Sequence, residues 1–449
     1  MTGYNRFDPG ALSWLDEDAH GPLAGLHVLD ISRIVAAPFA AMALGELGAA
    51  VIKVERPEGG DDSRTWGPPF ADGESAYYLS VNRNKVGIAL DLSTPEGADI
   101  LRTLAVEWAD VLIENFRDGV LKRWNLDLAE LRGANPRLIT ATIRGYPIGD
   151  SRPGVDFIIQ GSAGLMSLTG PGKGEFYKVG APLADLSAGL YLVSGVLAAL
   201  LERGTSGHGQ HLSVSLWEAL VSLLVNANQA YLLSGQIPRA MGNAHPQVAP
   251  YDVFNAADGP LTIGAVLDHH FKNLAVLLGH NEWLADERFA TNPARVVHRG
   301  ELKEEINRTL GGWQRAELLD RLIEEDIPCG PLRTVDEVMS SQEAEAAQLV
   351  ISVDHERLGA LPMVRLPWCL SRTPTGSTFP PPMVGQHTRA VLGALGLGDD
   401  DIEWLRKQGV LATNDLTEPQ RVDGEVGSAE KTRASVETPV THPGKQNPG

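Results

Sequence analysis

Residues 26–55 read LHVLDISRIVAAPFAAMALGELGAAVIKVE, and this stretch decides the fold class. Leu26–Ile31 reads as a buried strand, with Asp30 near its end. Ala36–Leu47 is small and apolar at helical spacing, and Pro38 is tolerated in a first helical turn. Gly48 supplies a C-cap. Ala50–Glu55 is a second strand. Strand, helix and strand within about thirty residues form a βαβ unit and so a parallel sheet. No Gly-x-Gly-x-x-Gly follows the first strand, so the dinucleotide fingerprint is missing.

The pattern continues outward. A Gly-, Pro- and Asp-rich loop, 56–73, precedes a strand at Val86–Leu90. Thr94–Trp108 reads as a helix opened by Pro95 and Glu96. Strands follow at Asp110–Ile113 and Leu138–Ile143. Polar residues collect just after the strand ends, where open parallel sheets bind ligands. The expected architecture is α/β: a Rossmann-like parallel-sheet large domain plus a smaller α+β domain. Residues 1–23 read as a lead-in, and 24–225 as the large domain. The smaller domain is 240–335, with strands at Tyr251–Asn255 and Leu261–Ala265. Residues 336–412 return to the large domain. The stretch 413–449 is poor in large apolar residues and reads as a disordered tail.

The chain has 449 residues, 43% hydrophobic and 21% charged, with a formal net charge of -19. Such a surface argues against nucleic acid and anionic membranes as partners. Two cysteines make no disulfide framework and lie in no metal-ligand spacing. The first residues lack the pattern of a signal peptide. The apolar run around Leu190–Leu201 is too short and interrupted for a bilayer span. The expected setting is cytoplasmic.

Lys178–Arg203, KVGAPLADLSAGLYLVSGVLAALLER, carries one carboxylate, Asp185, among small and apolar residues until Glu202. From Leu186 the spacing is helical and predicts a buried helix. The plain reading of Asp185 is an N-cap; the sharper one is a nucleophile at a helix N-terminus. Leu216–Leu233 reads as one long buried helix. Basic residues recur at strand ends and loops, among them Lys53, Arg56, Arg64, Lys85, Arg117, Arg123 and Arg144, and suggest a phosphate-bearing ligand; the plain alternative is scattered solvated charge. Asn115 and Phe116 offer an amide donor and an aromatic face for an adenine ring. The histidines, including His269 and His270, match no zinc spacing, and neighbours in sequence are not expected to point the same way, so no metal is assigned. No Gly-x-Ser-x-Gly elbow is present.

The segments VLDISRIVAAPFAAMALGELGAAVIKVERP, SVNRNKVGIALDL, DVLIENFRDGVLKRW, KVGAPLADLSAG, GNAHPQVAPYDVF and IPCGPLRTVDEV, in order and spaced over about 24–400, resemble the class III CoA-transferase (CaiB/BaiF-like) family. That family holds formyl-CoA, carnitine and dicarboxylate CoA-transferases and α-methylacyl-CoA racemases. The resemblance implies a catalytic aspartate at Asp185. It implies CoA contacts at Val35, Arg56, Lys85, Asn115, Phe116, Arg123 and Arg144. It also implies an interlocked homodimer, with the Met241–Pro246 loop (Asn243, His245) closing over the acyl end. That loop is less glycine-rich than in formyl-CoA-type members, which argues against a small oxalate-like substrate. In the racemases a histidine precedes the aspartate of the Gly-x-Asp segment; here the segment is Gly154-Val155-Asp156, and valine moves no proton.

The expected reaction therefore moves CoA from an acyl-CoA to a free carboxylic acid, with a dicarboxylate such as succinate as one partner. It would proceed through an aspartyl anhydride and an aspartyl-CoA thioester. CoA enters as substrate, with no tightly bound cofactor. The helix N-terminus is expected to keep Asp185 ionised and to offer N–H groups to an oxyanion. The alternatives are an isomerase of the same fold and a non-catalytic CoA-binding protein.

Overall fold

In the computed structural model, which describes residues 9–17, 20–376 and 379–414, six parallel strands form the main sheet. They are β1 (His27–Asp30), β2 (Ala50–Glu55), β3 (Val86–Leu90), β4 (Val111–Glu114), β5 (Ile139–Arg144) and β6 (His211–Ser215). Their order is β3-β2-β1-β4-β5-β6, and Leu411–Ala412 adds an antiparallel strand outside β3. β1 pairs with β2 on one side and β4 on the other, Asp30 lying opposite both Lys53 and Ile113. The winding direction reverses between β1 and β4. That crevice, beyond the carboxyl ends, is where such sheets bind ligands. β2 to β4 are wholly buried, as helices covering both faces require.

The helices that matter are α1 (Ala36–Glu46), α2 (Pro95–Glu107), α3 (Asp156–Ser162), α4 (Leu183–Ser206), α5 (Leu216–Leu223) and α6 (Val225–Ser234). Thr94 caps α2 through the Gly97 N–H at 3.1 Å, as its position before Pro95 predicts. α1 is built of alanines because α4 lies directly on it. A Cβ added at Gly189 would sit 2.7 Å from the Ala36 carbonyl oxygen and 2.8 Å from Phe39. The small residues of α4 thus admit α1 of the same chain. This contact ties the helix carrying Asp185 to the loop that leaves β1.

Several expectations change. α4 begins at Leu183 and not Leu186, and its 24 residues are long and apolar enough for a span by length and composition. Ala184, Ala188, Leu192, Val193 and Val196 nevertheless pack into the core with α1 and the sheet, which is the pattern of a core helix. Leu190, Tyr191 and Leu201 on its other side are exposed. Leu216–Leu233 is two helices broken at Leu224, and Leu223, Val225, Leu232 and Leu233 are exposed instead of buried. The lead-in holds a short helix, Pro9–Leu15, that buries Leu12 and Leu15 in the main core.

The described residues cluster as one unit ending at Asn414. Within it β7 (Tyr251–Ala256), β8 (Gly259–Gly264) and β9 (Cys329–Pro331) form an antiparallel sheet. This sheet has a core of its own, including Phe254, Ile263, Phe271, Trp283 and Leu302. Residues 415–449, nearly all of the expected tail, lie outside the described residues.

Candidate active site

The loop after β1 is held rigidly. Asn115 accepts from the Arg33 N–H at 2.9 Å and donates to the Arg33 carbonyl at 2.8 Å. Ile34 has φ 73°, a left-handed conformation that a β-branched residue adopts only when its surroundings enforce it. The enforcing group is Asp61, whose carboxylate accepts from the Ile34 N–H at 3.1 Å and from Lys53 at 3.2 Å. Burial works to raise the Asp61 carboxyl, but Lys53 and the bonds from Ser63 and Ile34 outweigh it and hold it below the usual range. Strain at the switch point is maintained by a buried network.

Lys85 belongs to that network. It is fully buried, with its ammonium 2.9 Å from Asp30, 2.8 Å from the Pro38 carbonyl and 2.9 Å from Asn82. Burial pushes it down to about 8 against the pull of Asp30. All three donors are used, and Lys85 lines neither of the two cavities described next.

The first cavity, about 430 Å³, opens beyond β1, β4 and β5 and contains Val35, Asn115, Arg144 and Asp185. The second, about 170 Å³, lies beyond β2 and β3 and contains Arg56, Phe116 and Trp124. Arg33 lines both, its guanidinium 4.8 Å above the Phe116 ring. Arg123 is exposed on a short helix and lines neither. Asn243 and His245 lie in a loop joined to Gly170 by the Gly242 N–H and also line neither cavity.

Asp185 is the third residue of α4 and does not cap it. The cap comes from Asp156 on α3, which accepts from the Ala184 N–H at 2.8 Å. The Leu183 and Leu186 N–H groups go to Ala181 and Pro182 carbonyls. These first-turn donors are therefore spent, and among the described residues none bonds the Asp185 carboxylate. Burial, followed by the charge of Asp156, pushes the Asp185 carboxyl up to about 7. Burial and the charge of Asp156 thus work against the ionising effect expected of the helix N-terminus. Burial, with Asp185 and Asp156 close by, also raises the Tyr77 phenol, so Tyr77 stays protonated as a donor in the cleft. Trp66 packs against it edge-on at 5.0 Å.

The sequence reading missed Arg33, Trp66, Tyr77, Asp156, Gln160 and Lys178. Of these, Asp156 carries a sequence signal, as the acidic residue of the Gly154-Val155-Asp156 segment. Away from this site, His269 and His270 do face each other, with ring centroids 4.2 Å apart, and Asp326 brings a third ligand atom within 4.8 Å. Both lie in the first turn of the helix Asp268–Leu277, and their convergence is contrary to expectation.

A sheet in Rossmann order with a carboxylate-bearing cleft at its switch point defines a ligand-binding α/β enzyme class. The profile of CoA-transferase family III matches residues 23–388. A succinate–glutarate CoA-transferase of Agrobacterium fabrum is 41% identical over 385 residues, 83% of this chain and 96% of that protein. The mouse succinyl-CoA:glutarate CoA-transferase is 36% identical, covering 88% and 92%. A CaiB/BaiF family protein from Brucella suis superposes with a TM-score of 0.75 at 39% identity, covering 84% of this chain and all of that one. The chain belongs to CoA-transferase family III. It is a CoA-transferase, with CoA thioesters as its substrates.

Proposed function

We propose that Asp185 is the nucleophile of a CoA transfer between dicarboxylic acids such as succinate and glutarate. One observation carries the assignment: Asp185 is a shielded carboxylate with no hydrogen-bond partner among the described residues, at the switch-point cleft. A structural carboxylate in that position would be expected to have partners. The names of the relatives from Agrobacterium fabrum and mouse support the substrate class.

An Asp185 oxygen attacks the thioester carbonyl carbon, the C–S bond breaks and CoA thiolate leaves. The thiolate then attacks the aspartyl carbonyl of the anhydride, releasing the donor acid and forming an aspartyl-CoA thioester. The acceptor carboxylate attacks that thioester, and the same steps in reverse yield the new acyl-CoA. Tyr77 donates toward the oxygen that gains charge. The nucleotide end of CoA fits the cavity of Arg56 and Phe116, and its thiol arm passes Arg33 and Asn115 to Asp185. Val35 and Arg144 border that path. Lys85 acts from beneath, by holding the β1 loop.

The chain acts as an interlocked homodimer whose partner brings the Asn243–His245 loop over the acyl end; this fits a loop that lies outside its own chain's Asp185 cleft. The division at 24–225, 240–335 and 336–412 fits the separate core around Phe254 and Trp283. The free thiols Cys329 and Cys369 fit a cytoplasmic, reducing setting.

The test is Asp185→Asn, assayed for CoA transfer from succinyl-CoA to glutarate, with hydroxylamine trapping of the wild-type adduct. We expect transfer to fall by about three orders of magnitude or more. Undiminished transfer, or an adduct on another residue, would sink the assignment. Solvent deuterium entering the α-carbon without an acceptor acid would favour isomerisation instead.

A further inference from the structure

Three cations line the Asp185 cleft: Arg33, Arg144 and Lys178. Arg144 is ion-paired with Asp118. Arg33 is stacked on Phe116 and also faces the second cavity, so its charge serves the path between the two. Lys178 lines the Asp185 cleft and not the second cavity. Its ammonium makes one long contact, 3.4 Å to the Val179 carbonyl. Among the described residues no carboxylate lies within ion-pair reach of it.

The loop segment bearing Lys178 is nonetheless fixed. Gln160 is wholly buried on α3. Its amide oxygen accepts from the Val179 N–H at 2.8 Å, and its amide nitrogen donates to Asp156 at 2.8 Å and approaches the Ala181 carbonyl at 3.3 Å. The helix that caps α4 therefore also positions the backbone of Lys178. A solvated, unpaired ammonium is held on the rim of the cleft in which Asp185 lies.

A dianionic acid entering this cleft meets Asp156 and Asp185 and needs an opposing charge. We propose that Lys178 holds the distal carboxylate of the dicarboxylic acyl group while the other carboxyl reacts at Asp185, an assignment that rests on the dicarboxylate reading above. An ammonium that swings on a flexible stem accommodates diacids of slightly different length, and a charge-assisted bond at the rim gives preference over monoacids of equal length.

The experiment compares wild type, Lys178→Met and Lys178→Arg, with succinyl-CoA as donor at saturation and glutarate or valerate as acceptor. In Lys178→Met the glutarate-to-valerate ratio of kcat/KM should fall about ten- to a hundredfold, through KM for glutarate. Lys178→Arg should restore part of the ratio. A ratio that stays at the wild-type value, or equal losses on both acids, overturns the assignment of Lys178 and leaves the dicarboxylate reading standing. A wild-type enzyme that moves no CoA from succinyl-CoA to glutarate overturns both.

Discussion

Asp185 is caught between two demands. A nucleophile must be ionised, yet burial and the neighbouring Asp156 raise its carboxyl to about 7. The acid limb of kcat/KM for the free enzyme should therefore fall near pH 7, with activity rising as the proton is lost. Asp156→Asn keeps an oxygen for the Ala184 N–H but removes the charge. It should move the limb to lower pH, and a pH profile with an unmoved limb would exclude Asp156 as its cause. The same shift bears on stability. In the unfolded chain the carboxyl ionises near its ordinary value, so between about pH 4 and pH 7 the folded state retains a proton that the unfolded state has lost. The stabilisation is complete below the unfolded value and is lost as pH rises through 7. Asp185→Asn should therefore raise stability by roughly 4 kcal/mol at pH 8 and little at pH 4, read from denaturant midpoints. No gain at pH 8 would mean the carboxylate is better solvated than its burial implies.

At the scale of elements, the contact between α1 and α4 sets the site. Gly189 touches the Ala36 carbonyl and Phe39 closely enough that no side chain fits. Gly189→Ala should cost about 1–3 kcal/mol through overpacking and lower transfer, because α4 can yield only by moving Asp185. Gly204, on the same helix, has nothing within 4 Å of a built Cβ. Gly204→Ala should gain about 0.5–1 kcal/mol from helix propensity. Thermal melts of the two variants separate a packing role from propensity; matching effects would refute the close-contact account.

For the whole molecule, the exposed apolar residues are the informative feature. Leu201 on α4 and Leu232 and Leu233 on α6 are 80%, 74% and 79% exposed, and Leu190 and Tyr191 on α4, Leu223 on α5 and Val225 on α6 extend the same apolar surface. Chains that keep so much apolar surface on consecutive helices usually cover it with a partner. The proposed homodimer predicts twice the chain mass in sedimentation, and slow hydrogen exchange along α6 despite its exposure in one chain. An active monomer would remove the argument.

The sequence by itself determined the parallel sheet, because β1, α1 and β2 are contiguous and their periodicities depend on local burial alone. It also singled out Asp185, the one carboxylate between Lys178 and Glu202, and the family motifs around it. Only the tertiary structure decided what the charged residues do. Lys85 and Arg123 read alike in the chain, yet one is buried against Asp30 and the other is exposed outside both cavities. Asp156 caps a helix that begins 27 residues later in the chain, and the backbone beside Lys178 is held through Gln160. A side chain's charge is written in the sequence. Whether that charge is already paired depends on partners brought together by the sheet order, and no local pattern encodes them.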